Sequence, residues 1–180
     1  MINTKRYATL YEWECFVNEL PKRKNIRIEH YDYSAPGAYF VTICTKNREK
    51  IFWDDCRGEL CSPADTPLTN IGAVVDREIQ KLNTLYDAVR IDTYCIMPNH
   101  IHFIITISAD ENGRTQFAPT ISRIVKQFKG AITKKIGRPI WQKSFYDHGI
   151  RNQQDYHETQ KYIENNPLKY LLNKAETIHE

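Results

Sequence analysis

A chain of 180 residues, 41% hydrophobic and 26% charged, is long enough for one folded domain with a sizeable core. No apolar run approaches the ~18 residues of a membrane span, and the opening stretch MINTKRYATLYEWECF lacks the apolar centre of a secretory signal. The net charge of +3 is unevenly spread: residues 49–112 hold 5 Lys/Arg against 11 Asp/Glu, a net of −6, whereas residues 122–151 hold 8 Lys/Arg against Asp147, a net of +7.

Residues 1–30 are charged, aromatic and weakly periodic, and read as an extension before a domain spanning 31–173, with 174–180 as a tail. The five cysteines form no C-x-x-C pair, which suits reduced thiols in a cytoplasmic protein; Cys56 and Cys61 could supply only half a zinc site. After the turn signal SAPG, AYFVTICT (38–45) predicts a strand, and IFW (51–53) is a candidate to pair with it. Residues 54–68 read as loop. From Thr69 the period becomes helical, with Ile71, Val74, Val75, Ile79, Leu82 and Tyr86 on one face and Thr69 or Asn70 as cap.

Two strands follow, AVRIDTYCIM and HIHFIITI, joined by a Pro-Asn turn. After the polar stretch 108–119, Ile121, Ile124, Val125, Phe128 and Ile132 predict an amphipathic helix that Gly137 and Pro139 stop. Its other face carries Arg123, Lys126 and Lys134. Lys143 and Arg151 extend the basic stretch beyond it. A final helix is expected from Gln153 or Asp155 to Pro167, since a residue before proline is pushed out of the α region. Strands and helices alternate without a βαβ rhythm, which predicts an α+β fold: an antiparallel sheet with helices on one face and the other face free.

His100 and His102 are the chemical feature of the third strand. Alternate strand residues share a face, so both imidazoles project from one side, while Ile101, Phe103, Ile105 and Ile107 point to a core. Two imidazoles make an incomplete metal site. KYIENNP (161–167) offers Tyr162 and Asn166 four apart on one helix face. Two imidazoles and an amide oxygen suit Mn²⁺, or Mg²⁺ with retained waters. A phenol beside such an ion could attack phosphorus. The plainer alternatives are hydrogen-bonded histidines, a helix-terminal asparagine and a tyrosine packed on the sheet. The basic helix could neutralise phosphates, and Trp141, Phe145 and Tyr146 could stack on unpaired bases, or each could serve only as solvated charge or core.

MPNHIHFII resembles the HUH signature of single-tyrosine transposases. Together with IRIEHYDYSAPGAYFVTICTKNR and IWQKSFYDHGIRNQQDYHETQKYIENNPLKY, in that order, it resembles the REP-associated tyrosine transposases over residues 23–172. That resemblance implies a ferredoxin-like sheet and a catalytic domain that cleaves and rejoins single-stranded DNA with Mg²⁺ or Mn²⁺. It implies Tyr162 as nucleophile, forming a 5′-phosphotyrosine, and His100, His102 and Asn166 as metal ligands, although relatives often carry glutamine in place of Asn166. It further implies DNA hairpins of repeated extragenic palindromes as partners, a monomer or homodimer, no membrane, and a cytoplasmic, nucleoid-associated location. A hairpin-binding regulator with idle chemistry and a metal hydrolase are the competing functions. The absence of an H-x-H-x-D cluster counts against the hydrolase.

Overall fold

The computed structural model describes residues 36–54, 68–108 and 120–178. The extension at 1–30, the Cys56/Cys61 pair and most of the two expected loops lie outside them. Strand β1 spans Gly37–Cys44, followed by a 3₁₀ turn at Lys46–Arg48. Helix α1 spans Asn70–Leu85, strand β2 Val89–Met97 and strand β3 His100–Ile107. Helix α2 covers Ile121–Ile136, strand β4 Tyr146–Ile150 and helix α3 Gln153–Ile178. The four strands form one antiparallel sheet in the order β2-β3-β1-β4.

The caps follow local chemistry. Thr69 accepts a hydrogen bond from Gly72 N–H at 3.0 Å and starts α1. Thr120 does the same for Arg123 N–H in α2, and Gly137 ends α2 at φ 78°, where a side chain would be strained. IFW does not pair with β1. The Ile51 and Phe52 N–H groups donate to the Pro98 carbonyl, and Trp53 bridges Leu68, so this segment buttresses the β2–β3 turn. Apolar content alone could not name its partner.

One sheet face carries Tyr39, Val41, Ile43, Ile101, Phe103 and Ile105, and packs under Val75 and Ile79 of α1 and Ile124 and Phe128 of α2. Fully burying each such side chain is worth about 1.5–3 kcal/mol. A bulge at Asp92 in β2 then changes which residues face which side. Ile91 pairs with Ile105 and Thr93 with Ile104, so one residue is extra. Val89 and Ile91 point into the α1/α2 core, but after the bulge it is Tyr94 and Ile96 that do so. Cys95 and Met97 are thereby turned to the histidine face.

That second face is not free, as the sequence pattern suggested. It carries Phe40, Cys95, Met97 and Ile104, which need cover, and α3 supplies it through Ile163, Tyr156, Tyr162 and Tyr170. Nor does α3 stop at Pro167. It runs on to Ile178 with the proline inside, so the expected tail is helical as far as that residue. An interior proline costs about 3 kcal/mol, comparable with burying one large side chain. Downstream, Tyr170 packs edge-on against Trp53 at 5.5 Å, and the good helix formers of LKYLLNKAE follow. Packing outweighs the local rule.

Candidate active site

The β2–β3 turn sets His100 and His102 side by side, with their Nε2 atoms 3.0 Å apart. Each ring is held from behind. Asn99 donates its Nδ2 to the Arg48 carbonyl at 3.5 Å, which orients its amide so that Oδ1 accepts from His100 Nδ1 at 2.6 Å. His102 Nδ1 meets Thr42 Oγ1 at 2.8 Å, because Thr42 is its register partner on β1. In this arrangement His100 carries its proton on Nδ1, His102 donates Nε2–H to His100 Nε2, and the Thr42 hydroxyl donates to His102 Nδ1. A hydroxyl can equally accept, so rotation of Thr42 Oγ1–H permits the other His102 tautomer, which frees both Nε2 lone pairs together.

Burial, and then the Arg48 charge, push His100 down to about 4. Burial, then the neighbouring His100, push His102 well below its ordinary range. Both imidazoles are thus neutral at neutral pH, the form that ligates a metal. Cys95 and Cys44, the register partners of His102 and His100, are buried thiols. Burial raises both, Cys95 to about 12, so neither is a thiolate at neutral pH.

Helix α3 lays its own residues against this pair. The Tyr162 ring lies 5.5 Å from His102 and 6.0 Å from Phe40, which itself stacks on His102 at 5.2 Å. Asn166, one turn on, is 6% exposed, and its Nδ2 is buried with no hydrogen-bond partner. Leaving a buried amide nitrogen unsatisfied costs about 1–3 kcal/mol; that nitrogen is a donor, so a bond from Asn166 to a cation would fall to its Oδ1. Among the described residues no group of three His, Cys, Asp or Glu converges on one point. Two imidazole nitrogens are thus brought together, and an amide oxygen from Asn166 would complete a set that fits a divalent ion of intermediate hardness.

Among the described residues, the tyrosines near Tyr162 in sequence have other partners. Tyr170, brought onto α3 by the helix passing through Pro167, is also one turn from Asn166, but its ring is held against Trp53. Tyr156 hydrogen-bonds Asp92, and burial together with that carboxylate raises its phenol above its ordinary value. Tyr146 is the register partner of Thr42. It shares the histidine face but stands two strands from His102, about 10 Å away at the usual strand spacing.

The basic residues divide. Arg123, Lys126 and Lys134 are exposed, but α2 packs on the opposite side of the sheet, so they are not brought beside His100, His102 and Tyr162. Helical periodicity shows which face of a helix is buried, not which face of a sheet buries it. Trp141 is 9% exposed and packs between Phe52 and Phe128, so it is core and not a stacking platform. Lys129 donates to the carbonyls of Gln142 and Ser144 and serves structure. Arg151 lies just before α3, its N–H donating to Asp155 in the first turn of that helix. Lys143 does lie at the histidine end of the sheet, since Trp141 bridges Thr45 and Gln142 N–H donates to Cys44. Thr42, Asn99 and Phe40 escaped the sequence reading, because only strand register reveals that Thr42 faces His102.

The IS200-like transposase family model matches residues 36–166, which include both histidines, Tyr162 and Asn166. The chain belongs to this family, among the REP-associated tyrosine transposases. An uncharacterised protein of Haemophilus influenzae is 33% identical over 165 residues, covering 81% of this chain and 88% of the relative. A REP-associated tyrosine transposase of Escherichia coli K12 is 32% identical over 138 residues, covering 77% of this chain and 70% of the relative. A solved structure of a REP-associated tyrosine transposase bound to a REP hairpin shares the fold at TM-score 0.53 and 24% identity, covering 80% of this chain and 74% of that one. The IS200-like assignment gives this protein a transposase-type function on DNA, and such transposases are generally metal-dependent. No helix among the described residues is long and apolar enough to cross a membrane.

Proposed function

We propose that this transposase is a metal-dependent single-stranded DNA endonuclease and strand transferase that acts at or beside DNA hairpins through Tyr162. The observation that carries the reading is the Tyr162 ring at 5.5 Å from His102, with the buried Asn166 one turn further along the same helix. His100 Nε2, His102 Nε2 and the Asn166 side-chain oxygen would hold one Mg²⁺ or Mn²⁺. Such an ion, when bound, draws charge from a phosphoryl oxygen and stabilises what develops in the transition state.

The chain's own residues do the rest. Tyr162 Oη attacks phosphorus, the new Tyr–O–P bond forms, and the P–O3′ bond breaks. The phenolic proton is lost, and the departing strand leaves as a 3′-OH. Attack of another 3′-OH on the same phosphorus reverses the step and rejoins strands. Asn99 and Thr42 fix the two imidazoles, and Phe40 walls the Tyr162 side. The relative solved with a REP hairpin supports the same substrate class here. Arg123, Lys126 and Lys134 would then meet only DNA long enough to reach round the sheet.

The test is covalent capture. A labelled DNA hairpin with a single-stranded tail should become attached to the protein in Mn²⁺ or Mg²⁺, and EDTA should prevent it. Tight binding without attachment would instead support a regulator that holds the hairpin with its chemistry idle.

A further inference from the structure

The cations best placed for DNA are not those of the basic helix. We infer that the turn at residues 45–50, through Arg48 with Lys46 and Lys50, is a phosphate subsite for the single strand running into the Tyr162 site. This rests on the reading that single-stranded DNA is the substrate.

The turn is held against the histidine end of the sheet from several sides. Thr45 is fully buried, its N–H donates to the Asn99 carbonyl, and its hydroxyl donates to the carbonyls of Glu49 and Asn99, at 2.9 Å in each case. Lys46 N–H donates to Ile140 at 2.7 Å. The Arg48 carbonyl accepts from the Asn99 amide, and the same amide accepts from His100. One side chain thus ties the turn to a proposed metal ligand.

The turn also keeps its charges available. Among the described residues, Lys46, Arg48 and Lys50 form no ion pair, while Glu49, between them, faces Arg138 at 3.9 Å. Lys46 and Lys50 are exposed and Arg48 is half-buried. Asn47 and Arg48 both have left-handed backbone, φ 54° and 55°. Asparagine is at home there, whereas arginine is not, and glycine would be the relaxed choice. A guanidinium kept at a strained position beside the site fits bidentate phosphate binding. Next to the turn, half-buried Trp53 and Tyr170 meet edge-on at 5.5 Å with the Lys50 ammonium 5.9 Å from the Tyr170 ring centre. Cations alternating with aromatic rings suit a single strand, whose phosphates and bases need both.

The experiment compares the parent with Arg48→Gly and Arg48→Gln, using fluorescence anisotropy of a labelled hairpin with a single-stranded tail across a salt series. Removing one phosphate contact from a single strand should flatten the slope of log affinity against log salt by about 0.7, and weaken binding about fivefold at 0.1 M salt. The slope does not depend on the folded fraction. Arg48→Gly also relaxes the backbone and should melt no lower than the parent. A parent that binds, with both variants keeping its slope, overturns this inference and leaves the proposed function standing. A parent that does not bind overturns both.

Discussion

The Tyr162 ring stands 5.5 Å from the His102 ring at an interplanar angle of 65°. Helix α3 and strand β3 are separated by a loop, a helix and a strand in the chain. Their meeting is what converts a histidine pair and a tyrosine–asparagine pair into one candidate site. The Asp92 bulge contributes by turning Cys95 and Met97 outward, which gives α3 an apolar bed beside the histidines.

The groups behind the imidazoles should govern metal affinity. Thr42→Val keeps the side-chain shape and leaves His102 Nδ1 buried without its partner. Asn99→Ala frees His100 Nδ1. Each should weaken Mn²⁺ binding about 10–100-fold, the usual effect of losing such an outer partner. Electron paramagnetic resonance titration of free Mn²⁺ would measure it. Unchanged affinity in both variants would mean that these residues do not orient the ligands.

Glu78 links the two helices of the other face. It is 8% exposed and accepts from Lys81 at 2.9 Å and Lys135 at 2.5 Å. Burial opposes its charge, but the two ammonium groups outweigh it and hold the carboxyl below its ordinary value of 4.5. A depressed carboxylate stabilises the fold fully above the unfolded value, and that stabilisation is lost as pH falls through the folded value. Glu78→Gln should therefore have a lower urea midpoint than the parent at pH 7, with the gap closing below pH ~4. A gap that persists at pH 3 would assign the loss to packing.

Pro167 leaves the Ile163 carbonyl without its usual helical donor. Pro167→Ala should raise stability, by up to about 3 kcal/mol if the ring's full helical cost is relieved. Chemical denaturation would show it. A destabilised variant would mean that a bend at Pro167 is needed to seat Tyr170 on Trp53.

Charge reversal on α2 separates near from remote contacts. Lys126→Glu with Lys134→Glu should leave the salt slope for a short single strand unchanged, because these residues lie behind the sheet. It should flatten the slope for a long hairpin only if the stem wraps round. A flattened slope with the short strand would place the binding path on the α2 side.

Much of this was legible in sequence because the rules involved are local. The H-x-H face follows from strand alternation, the α1 and α2 cores from helical spacing, the α1 cap from Thr69 and the end of α2 from Gly137. What escaped depended on partners far along the chain. Thr42 becomes the support of His102 only through the β1–β3 register. The basic helix could not be assigned to a sheet face by its own periodicity. Trp141 had an indole that suited stacking, but it joins Phe52 and Phe128 in the core. Pro167 obeyed a rule for isolated helices that Tyr170 and Trp53 override by packing. The cations of TKNREK were visible, but their position became meaningful only once Asn99 tied that turn to His100.

The most direct measurement of the central claim is the identity of the residue that becomes joined to DNA. The trapped adduct, formed with a hairpin in Mn²⁺, would be digested and its nucleotide-bearing peptide sequenced by mass spectrometry. The account predicts a remnant on Tyr162 alone, and a Tyr162→Phe protein that folds and binds the hairpin but never attaches to it. A remnant on Tyr146, Tyr156 or Tyr170, or an adduct formed by Tyr162→Phe, would contradict it.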